Sequence, residues 1–259
     1  MKWTVSRNVL AAAALALAMA AHAQETARMD HVVQQLVDAK QFMGSVLVAR
    51  GEQVLFNKAY GNANLEWNIA NTPTTKFRIG SITKQFTAAS ILLLEERGKL
   101  KLEDPIKKHF ADAPAAWDAV TLNHLLTHTS GIANFTSFPE FQKRKQFDTK
   151  LVDLIGSFKD HALEFAPGEK MAYSNSGYLL LGHVIEKASD MSYADFVQAN
   201  IFAPLGMKDS GYDSNALIIE RRAAGYTRSG EAIANADFVH MSIPHAAGGL
   251  YSTTEDLLR

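Results

Sequence analysis

The chain has 259 residues, no cysteine, and a formal net charge of −1 from 26 basic and 27 acidic residues. The lack of cysteine excludes disulfides, thiolate metal sites and a thiol nucleophile. The near-neutral charge argues against nucleic acid as a partner. A hydrophobic content of 47% is enough for a sizeable core.

The N-terminus has the pattern of an export signal. Lys2 and Arg7 form a charged start, and the apolar run 9–20 that follows is too short to span a bilayer comfortably. An Ala-His-Ala tripeptide then supplies the small-x-small pattern of a cleavage site. The sequence therefore predicts a signal peptide over residues 1–23 and a domain over residues 24–259. It also predicts a periplasmic or secreted location with no stable membrane span.

The first predicted elements of this domain are a helix and a hairpin. Apolar residues fall on one side of a helix over residues 30–40. Two runs with strand character follow at 44–50 and 53–60, and the Gly51-Glu52 pair between them is typical of a turn. These two runs are predicted to pair as an antiparallel hairpin.

The tetrad from Ser81 to Lys84 indicates a possible nucleophile and its base. Apolar residues at helical spacing predict a helix from at or near Ser81 to a C-terminal cap at Gly98. Ser81 and Lys84 then lie one turn apart on the same face. A serine hydroxyl needs a base, and a lysine can serve if its pKa falls from about 10.4 toward neutrality. Helix dipole and burial both lower that pKa. A bare match of this kind is more typical of an N-cap serine followed by a solvated lysine.

A second polar motif, Tyr173-Ser174-Asn175, lies where a turn-rich segment meets an apolar helix pattern at 178–185. A tyrosine hydroxyl near the lysine could relay protons between nucleophile and leaving group. The Asn175 amide could hold Lys84 or a substrate carbonyl. Taken alone, the motif is more typical of an ordinary turn before a capped helix.

Together these motifs resemble the penicillin-recognising serine hydrolases, which include class C β-lactamases, D-alanyl-D-alanine peptidases, D-amino-acid peptidases and esterases. The Tyr-x-Asn form of the second motif is similar to the class C and esterase branch, since a class A enzyme would carry Ser-Asp-Asn. The resemblance implies an α+β fold of the β-lactamase/transpeptidase type, with an antiparallel sheet flanked by helices and a mainly helical lobe. The segments that match, in the family's order, are 77–84, 98–105, 122–131, 167–175 and 247–253.

The family has a third motif, Lys-Thr-Gly or His-x-Gly, on a strand well beyond segment 247–253. The chain reaches Arg259 without it, and residues 252–255 match a capping box that opens a helix. We therefore expect a C-terminally incomplete chain without the C-terminal strands that pair with the N-terminal hairpin. In the family the third-motif strand supplies one oxyanion N–H group. Loss of such a donor typically costs about 100-fold to 1,000-fold in rate.

The resemblance implies a serine hydrolase that forms an acyl-enzyme on a small-molecule or peptide substrate with an amide, ester or β-lactam carbonyl. Ser81 would be the nucleophile, Lys84 with Tyr173 would transfer its proton, and Asn175 would orient Lys84 and the substrate. No cofactor is implied. Two alternatives are a non-catalytic homologue that binds cell-wall peptides and an inactive fragment that lacks the third motif. Substrate choice lies in loops, so the sequence does not rank β-lactamase, D-peptidase and esterase.

Three histidines are further candidates for site residues. His124 and His128 have the i, i+4 spacing of helical zinc pairs. Since no glutamate follows His124 and no third ligand is evident, no metal site is predicted, and the resemblance implies a structural role for their loop. His245 is predicted to be a loop residue or to line the cleft.

Overall fold

The computed structural model describes residues 7–230 and 232–259, with side chains from residue 23 onward. The described chain forms two compact units, the first ending at Thr75 and the second running from Lys76 to Leu257. Of the predicted signal peptide, residues 1–6 lie outside the described residues, and helical backbone begins at Arg7. The helices and antiparallel strands confirm the predicted α+β class.

The first unit is built from one long helix and short antiparallel strands. The helix begins well before the predicted start at residue 30 and ends two residues before the predicted end at residue 40. The predicted hairpin is confirmed at both of its strands, which pair with Gly44 opposite Tyr60. The elements are α1 (Arg7–Asp38), β1 (Gly44–Arg50), β2 (Gln53–Tyr60), β3 (Asn62–Asn64) and β4 (Ile69–Ala70).

A carboxylate joins the helix of the first unit to its hairpin. Asp30 on α1 accepts hydrogen bonds from Lys58 Nζ at 2.7 Å and from the Tyr60 hydroxyl at 2.6 Å, both on β2. The hydrogen bond from Lys58 holds the pKa of the Asp30 carboxyl below its ordinary value. Within the described part of the chain, no helix combines the length and the apolar character that a membrane crossing needs.

The second unit contains helices that pack on one another, a three-stranded antiparallel sheet and a separate hairpin. In the sheet the central strand is β9, with β5 and β6 on either side, and β7 pairs with β8. The strands are β5 (Phe77–Arg78), β6 (Gly211–Tyr212), β7 (Tyr226–Ser229), β8 (Ala232–Asn235) and β9 (Leu250–Ser252). The helices are α2 (Thr83–Glu96), α3 (Leu122–Leu126), α4 (Pro139–Arg144), α5 (Leu151–Gly156), α6 (Asn175–Ser189), α7 (Tyr193–Val197), α8 (Ala203–Leu205), α9 (His245–Gly248) and α10 (Thr254–Leu258), with a π-helical stretch at Gln198–Phe202.

Helix α6 is the centre of the core. Every residue from Ser176 to Ile185 is buried, as expected for a helix that is apolar on all sides and is packed against other helices. Its N-terminus is capped by the Ser174 hydroxyl, which accepts from Gly177 N at 3.4 Å. The predicted apolar pattern at 178–185 therefore marks a buried helix whose first residue is fixed by a cap.

Helix α2 enters the core through a tight turn. Gly80 has a φ of +51°, a left-handed conformation that glycine adopts without strain. Residues Gly80–Ile82 form a 3₁₀ turn, and α2 begins at Thr83. The prediction of a helix near Ser81 is thus confirmed, with Ser81 in the 3₁₀ turn just before it. The predicted cap at Gly98 has a φ of +69° and follows the last helical residue by two positions.

The predicted capping box at residues 252–255 is wrong by one position. The cap of α10 is Thr253, whose hydroxyl accepts from Asp256 N at 3.2 Å. Ser252 is unavailable as a cap because it lies in β9 and its hydroxyl is 2.7 Å from the Ser210 hydroxyl in a buried hydrogen bond. Strand pairing therefore decides which of the two hydroxyls caps the helix.

Candidate active site

The structure brings together all four side chains predicted for the site. Ser81 lies in the 3₁₀ turn and Lys84 in the first turn of α2. Tyr173 lies in the loop before α6, and Asn175 is the first residue of that helix. The two helix starts therefore meet, and each carries two of the four side chains.

The Ser81 hydroxyl oxygen lies between a phenol and an amine. The Tyr173 hydroxyl donates to Ser81 Oγ at 2.6 Å, and Lys84 Nζ is 3.3 Å from the same oxygen. Ser81 itself is exposed, so the oxygen is open to an incoming molecule. This is the geometry that an activated hydroxyl nucleophile requires, with groups able to transfer protons within hydrogen-bond reach.

The Lys84 amine is buried and surrounded by acceptors. Its residue is 7% exposed, and Nζ donates to Asn175 Oδ1 at 2.9 Å and to the Ala247 carbonyl at 2.7 Å. Burial lowers the pKa of Lys84, and the Tyr173 phenol offsets part of that effect. The rings of Tyr173 and Tyr178 lie 4.7 Å and 5.3 Å from Nζ. A lowered pKa raises the fraction of neutral amine that can accept a proton.

The Asn175 side chain is held in one orientation by the segment after the 122–131 motif. Its Nδ2 donates to Asn134 Oδ1 and to Thr136 Oγ1, both at 3.3 Å. Asn134 Oδ1 also accepts from the Asn175 backbone N at 3.1 Å. With both donors directed toward this segment, Oδ1 faces Lys84. Asn134 and Thr136 were not predicted, since neither belongs to a motif with a recognisable spacing.

His128 positions the loop that carries Tyr173. Its carbonyl accepts from Ala172 N at 2.9 Å, and its Nδ1 accepts from Ser174 N at 3.2 Å. Its ring is 4.6 Å from the Tyr173 ring and 5.1 Å from the Tyr178 ring. An acceptor Nδ1 requires a neutral imidazole. Burial, and next the charge of Lys84, lower the pKa of His128 and so favour that state.

The other predicted histidines have structural contacts. The His124 backbone N donates to Thr121 Oγ1 at 3.2 Å and its Nδ1 accepts from Thr121 N at 3.2 Å, which makes a capping box at the start of α3. His245 Nε2 lies 3.4 Å from Glu186 Oε1. Within the described residues, no group of three side chains is placed to hold a metal ion.

A cavity of about 200 Å³ lies in front of the nucleophile candidate. Ser81 and Asn175 form its polar side, with Thr136 beside them, and Phe135 and Phe141 form part of its apolar side. The backbone of α9 completes the wall with Ala247 and Gly248, whereas His245 on the same helix is not part of the lining. Neither alternative for His245 is confirmed, because this residue begins α9 instead of lying in a loop, and its ring lies beside Glu186.

Helix α9 is fixed in place by a hydroxyl from α2. Thr87 Oγ1 donates to the Ala246 carbonyl at 2.7 Å and is 2.8 Å from the Tyr193 hydroxyl. The next carbonyl along, that of Ala247, is the one that accepts from Lys84. Ala247 falls in a matched family segment, but its part in the site was not predicted because a main-chain carbonyl leaves no signal in the residue type.

Comparison with known proteins matches residues 29–259 to the β-lactamase family. Penicillin-binding protein 4* of Bacillus subtilis is 36% identical over 197 residues, which is 74% of this chain and 43% of that protein. The chain spans about half the length of the curated relatives it matches.

Two solved structures are also similar to this chain in sequence and in fold. A penicillin-binding protein from Bacillus halodurans is 30% identical with a TM-score of 0.75, covering 87% of this chain and 70% of that one. The D-amino acid amidase of Ochrobactrum anthropi, complexed with D-phenylalanine, is 29% identical with a TM-score of 0.75. That match covers 88% of this chain and 66% of the amidase.

Proposed function

Because the chain belongs to the β-lactamase family of serine hydrolases, we propose that it is exported and cleaves amide, ester or β-lactam carbonyls through an acyl-enzyme on Ser81. The observation that carries this proposal is the position of Ser81 Oγ, with the Tyr173 hydroxyl at 2.6 Å and Lys84 Nζ at 3.3 Å. A structural N-cap serine would need neither neighbour.

Acylation begins with attack of Ser81 Oγ on the carbonyl carbon. The Tyr173 hydroxyl already donates to that oxygen, so the serine proton passes to the neutral amine of Lys84. The C–O bond forms as the carbonyl becomes an oxyanion, with the Ser81 backbone N–H as one donor. When the oxyanion collapses, Tyr173 protonates the leaving group and recovers a proton from Lys84. Water then attacks the acyl-enzyme by the reverse proton path and restores the Ser81 hydroxyl.

Asn175 and Ala247 support this sequence by holding the amine. Both accept hydrogen bonds from Nζ, so the lysine side chain stays beside Ser81 whether or not it carries the extra proton. Asn175 also lines the cavity, where the second lone pair of Oδ1 can accept a hydrogen bond from a bound substrate. No cofactor takes part in the mechanism.

The names of similar proteins support the proposed substrate class, and the N-terminal sequence supports the proposed location. Among the similar proteins, the names penicillin-binding protein and D-amino acid amidase point to β-lactams and to amides of D-amino acids. Export to the periplasm or the medium rests on the signal pattern of residues 1–23. We therefore place cell-wall-type peptides and β-lactams first, and simple esters second.

Covalent labelling tests the nucleophile. A fluorophosphonate and a fluorescent penicillin should each label the chain, and peptide mass spectrometry should find the adduct on Ser81. Ser81→Ala should abolish labelling, whereas Ser229→Ala, at an exposed serine on β7, should leave it intact. Labelling of the Ser81→Ala variant would refute the proposal. Saturable binding of a cell-wall peptide without labelling or turnover would favour the non-catalytic homologue.

A further inference from the structure

His245 has two unfavourable features at the first position of α9. Its φ is +36°, a left-handed conformation that is strained for a residue with a Cβ. Its Nδ1 is buried and has no hydrogen-bond partner among the described residues, so a polar atom has left water without compensation. Such features persist only where the surrounding structure holds them, and they are concentrated at functional sites. The contacts of His245 therefore indicate what this residue does for α9.

A carboxylate on α6 holds the ring of His245. Glu186 Oε1 lies 3.4 Å from His245 Nε2 and accepts from Tyr193 N, at the start of α7, at 3.1 Å. Burial opposes ionisation of Glu186, but the hydrogen bonds from His245 and Tyr193 N outweigh this effect and hold its pKa below the ordinary value. The ionised carboxylate therefore joins the first residues of α7 and α9.

Helix α9 lies directly on α6 beside this contact. A Cβ on Gly182 would be 2.9 Å from His245 Nδ1 and 2.7 Å from the Ala246 Cβ, so this close approach requires a residue without a side chain. The rings of Tyr193 and Tyr212 enclose the imidazole, with centroids 5.3 Å and 5.9 Å from its own. Because the ring is packed on these sides, a contact that holds Nε2 also fixes the start of α9.

The same carboxylate reaches α9 by a second route. Tyr193, whose backbone N donates to it, has its hydroxyl 2.8 Å from Thr87 Oγ1. Thr87 Oγ1 in turn donates to the Ala246 carbonyl at 2.7 Å. The next carbonyl of α9, that of Ala247, accepts from the Lys84 amine at 2.7 Å. Both routes therefore end on the part of the main chain that supplies this amine with an acceptor.

We propose that Glu186 and His245 are positioning residues of the active site, which together fix the Ala247 carbonyl against the amine of Lys84. Neither residue lines the cavity in front of Ser81, so each acts through α9 and not on a substrate. The inference rests on the proposed function only in treating Lys84 as the base. If α9 were released, water would reach Nζ and remove the burial that lowers the pKa of Lys84.

The amine itself reports the position of α9, whether or not the protein is catalytic. In protein grown with isotopically labelled lysine, the Cε NMR signal of Lys84, assigned by its loss in Lys84→Gln, moves as the amine titrates. His245→Leu removes the contact with Glu186 and should raise the titration midpoint of Lys84 by about one pH unit or more. His245→Gln keeps an N–H donor and should stay close to wild type. Equal midpoints in wild type and His245→Leu would overturn the proposal.

The comparison of glutamine with leucine at position 245 isolates the donor. Neither residue is branched at Cβ, so both meet the same backbone strain, and neither titrates, so the imidazole does not contribute to the difference. The titratable side chains that face the two residues are unchanged in both variants: Tyr173, Tyr178 and His128 at Lys84, and His183, Tyr193 and Tyr212 at His245.

Substitution of Glu186 tests the pair from its other side. Glu186→Ala removes the acceptor from both routes and should raise the Lys84 midpoint at least as far as His245→Leu. Glu186→Gln keeps an oxygen for Tyr193 N and should raise it less. A folded Glu186→Ala protein with the wild-type midpoint would contradict the proposal. If either His245→Leu or Glu186→Ala does not fold, the other variant decides.

His109→Leu is the matched control for a loss of stability alone. His109 Nε2 lies 3.0 Å from Asp104 Oδ2, both side chains are largely buried, and the pair belongs to the segment between α2 and α3. This substitution should lower the free energy of unfolding in urea much as His245→Leu does, but leave the Lys84 midpoint in place. Midpoints raised equally by the two substitutions would indicate a general loosening of the core and overturn the assignment.

Reaction with p-nitrophenyl acetate separates this inference from the proposed function. A midpoint raised by about one pH unit leaves about tenfold less neutral amine near neutral pH, so acylation of His245→Leu should slow about tenfold and recover in His245→Gln. A wild-type protein that does not react, with a Lys84 midpoint that still depends on His245, would refute the hydrolase and support the positioning role. A reactive wild type whose midpoint is independent of both His245 and Glu186 would do the opposite.

Discussion

Replacing Tyr173 with phenylalanine separates the hydroxyl of this residue from its ring. The variant loses the donor that lies 2.6 Å from Ser81 Oγ. It keeps the ring 4.7 Å from Lys84 Nζ and 4.6 Å from the His128 ring. Since general acid–base catalysis contributes about 100-fold to 10,000-fold, kcat/KM should fall by that range, which is about 3 to 5 kcal/mol of transition-state stabilisation.

The same substitution should have little effect on folding. Tyr173 is 45% exposed, and one hydrogen bond at such a position is worth about 0.5 to 1.5 kcal/mol at most. Urea unfolding of the variant should therefore give a free energy within about 1.5 kcal/mol of wild type. A loss of rate without a matching loss of stability would identify the hydroxyl with the chemistry rather than with the fold.

Tyr178→Phe is the matched control. The Tyr178 ring also faces Lys84, at 5.3 Å, but its hydroxyl donates to the Leu126 carbonyl at 3.0 Å and not to Ser81. Stopped-flow acylation by a chromogenic cephalosporin and by p-nitrophenyl acetate would be measured for both variants. Tyr178→Phe should stay within a few-fold of wild type. If Tyr173→Phe also did so, or if both variants lost rate equally, the proton path through the Tyr173 hydroxyl would be refuted.

Three further predictions concern the lysine and the loop behind the tyrosine. Because burial lowers the pKa of Lys84 below its ordinary value of 10.5, the acylation rate should rise with pH and level off below that value as the amine becomes neutral. A pH–rate profile of Lys84→Gln should lack this rise. His128→Asn should retain more stability and rate than His128→Leu, because an amide oxygen can still accept from Ser174 N and asparagine tolerates the φ of +59°. The unpaired N–H in the leucine variant should cost about 1 to 3 kcal/mol in urea unfolding. Gly131→Ala should destabilise by about 1 to 3 kcal/mol from its φ of +75° alone. The alanine Cβ would also lie 2.1 Å from the Phe165 carbonyl oxygen, so this clash should lower the stability further. A melting temperature unchanged from wild type would contradict the prediction for Gly131→Ala.

The sequence predicted those parts of the site that stand next to a helix start. Ser81 and Lys84 precede an apolar helical run, and Asn175 follows a turn-rich segment and opens another. Such junctions are visible locally because caps, glycines and apolar spacing occur within a few residues of one another. Because the motifs occur in the same order as in the family, the resemblance then indicated that the helix starts at Ser81 and Asn175 lie together.

The parts that were not predicted depend on distant contacts or on the main chain. Asn134 acts on Asn175, which is 41 residues away, and nothing in its local sequence indicates that contact. His128 was predicted to be structural, and its contacts agree with that, but the sequence did not indicate that its carbonyl and ring nitrogen hold the loop of Tyr173. Strands β5 and β6 have two residues each, which is too short for any alternation of apolar and polar residues to be recognised.

The contacts of Lys84 also have a consequence for the order of folding. Its amine joins segments separated by 91 residues at Asn175 and by 163 residues at Ala247. Contacts of such sequence separation form late, because the chain must first lose the entropy of closing a long loop. Until α9 docks, we expect the amine to lie in water with the basicity of an ordinary lysine and the neighbouring hydroxyl to be unreactive. Reactivity toward an acylating probe would then appear only in the last step of refolding, which makes the chemistry itself a reporter of complete assembly.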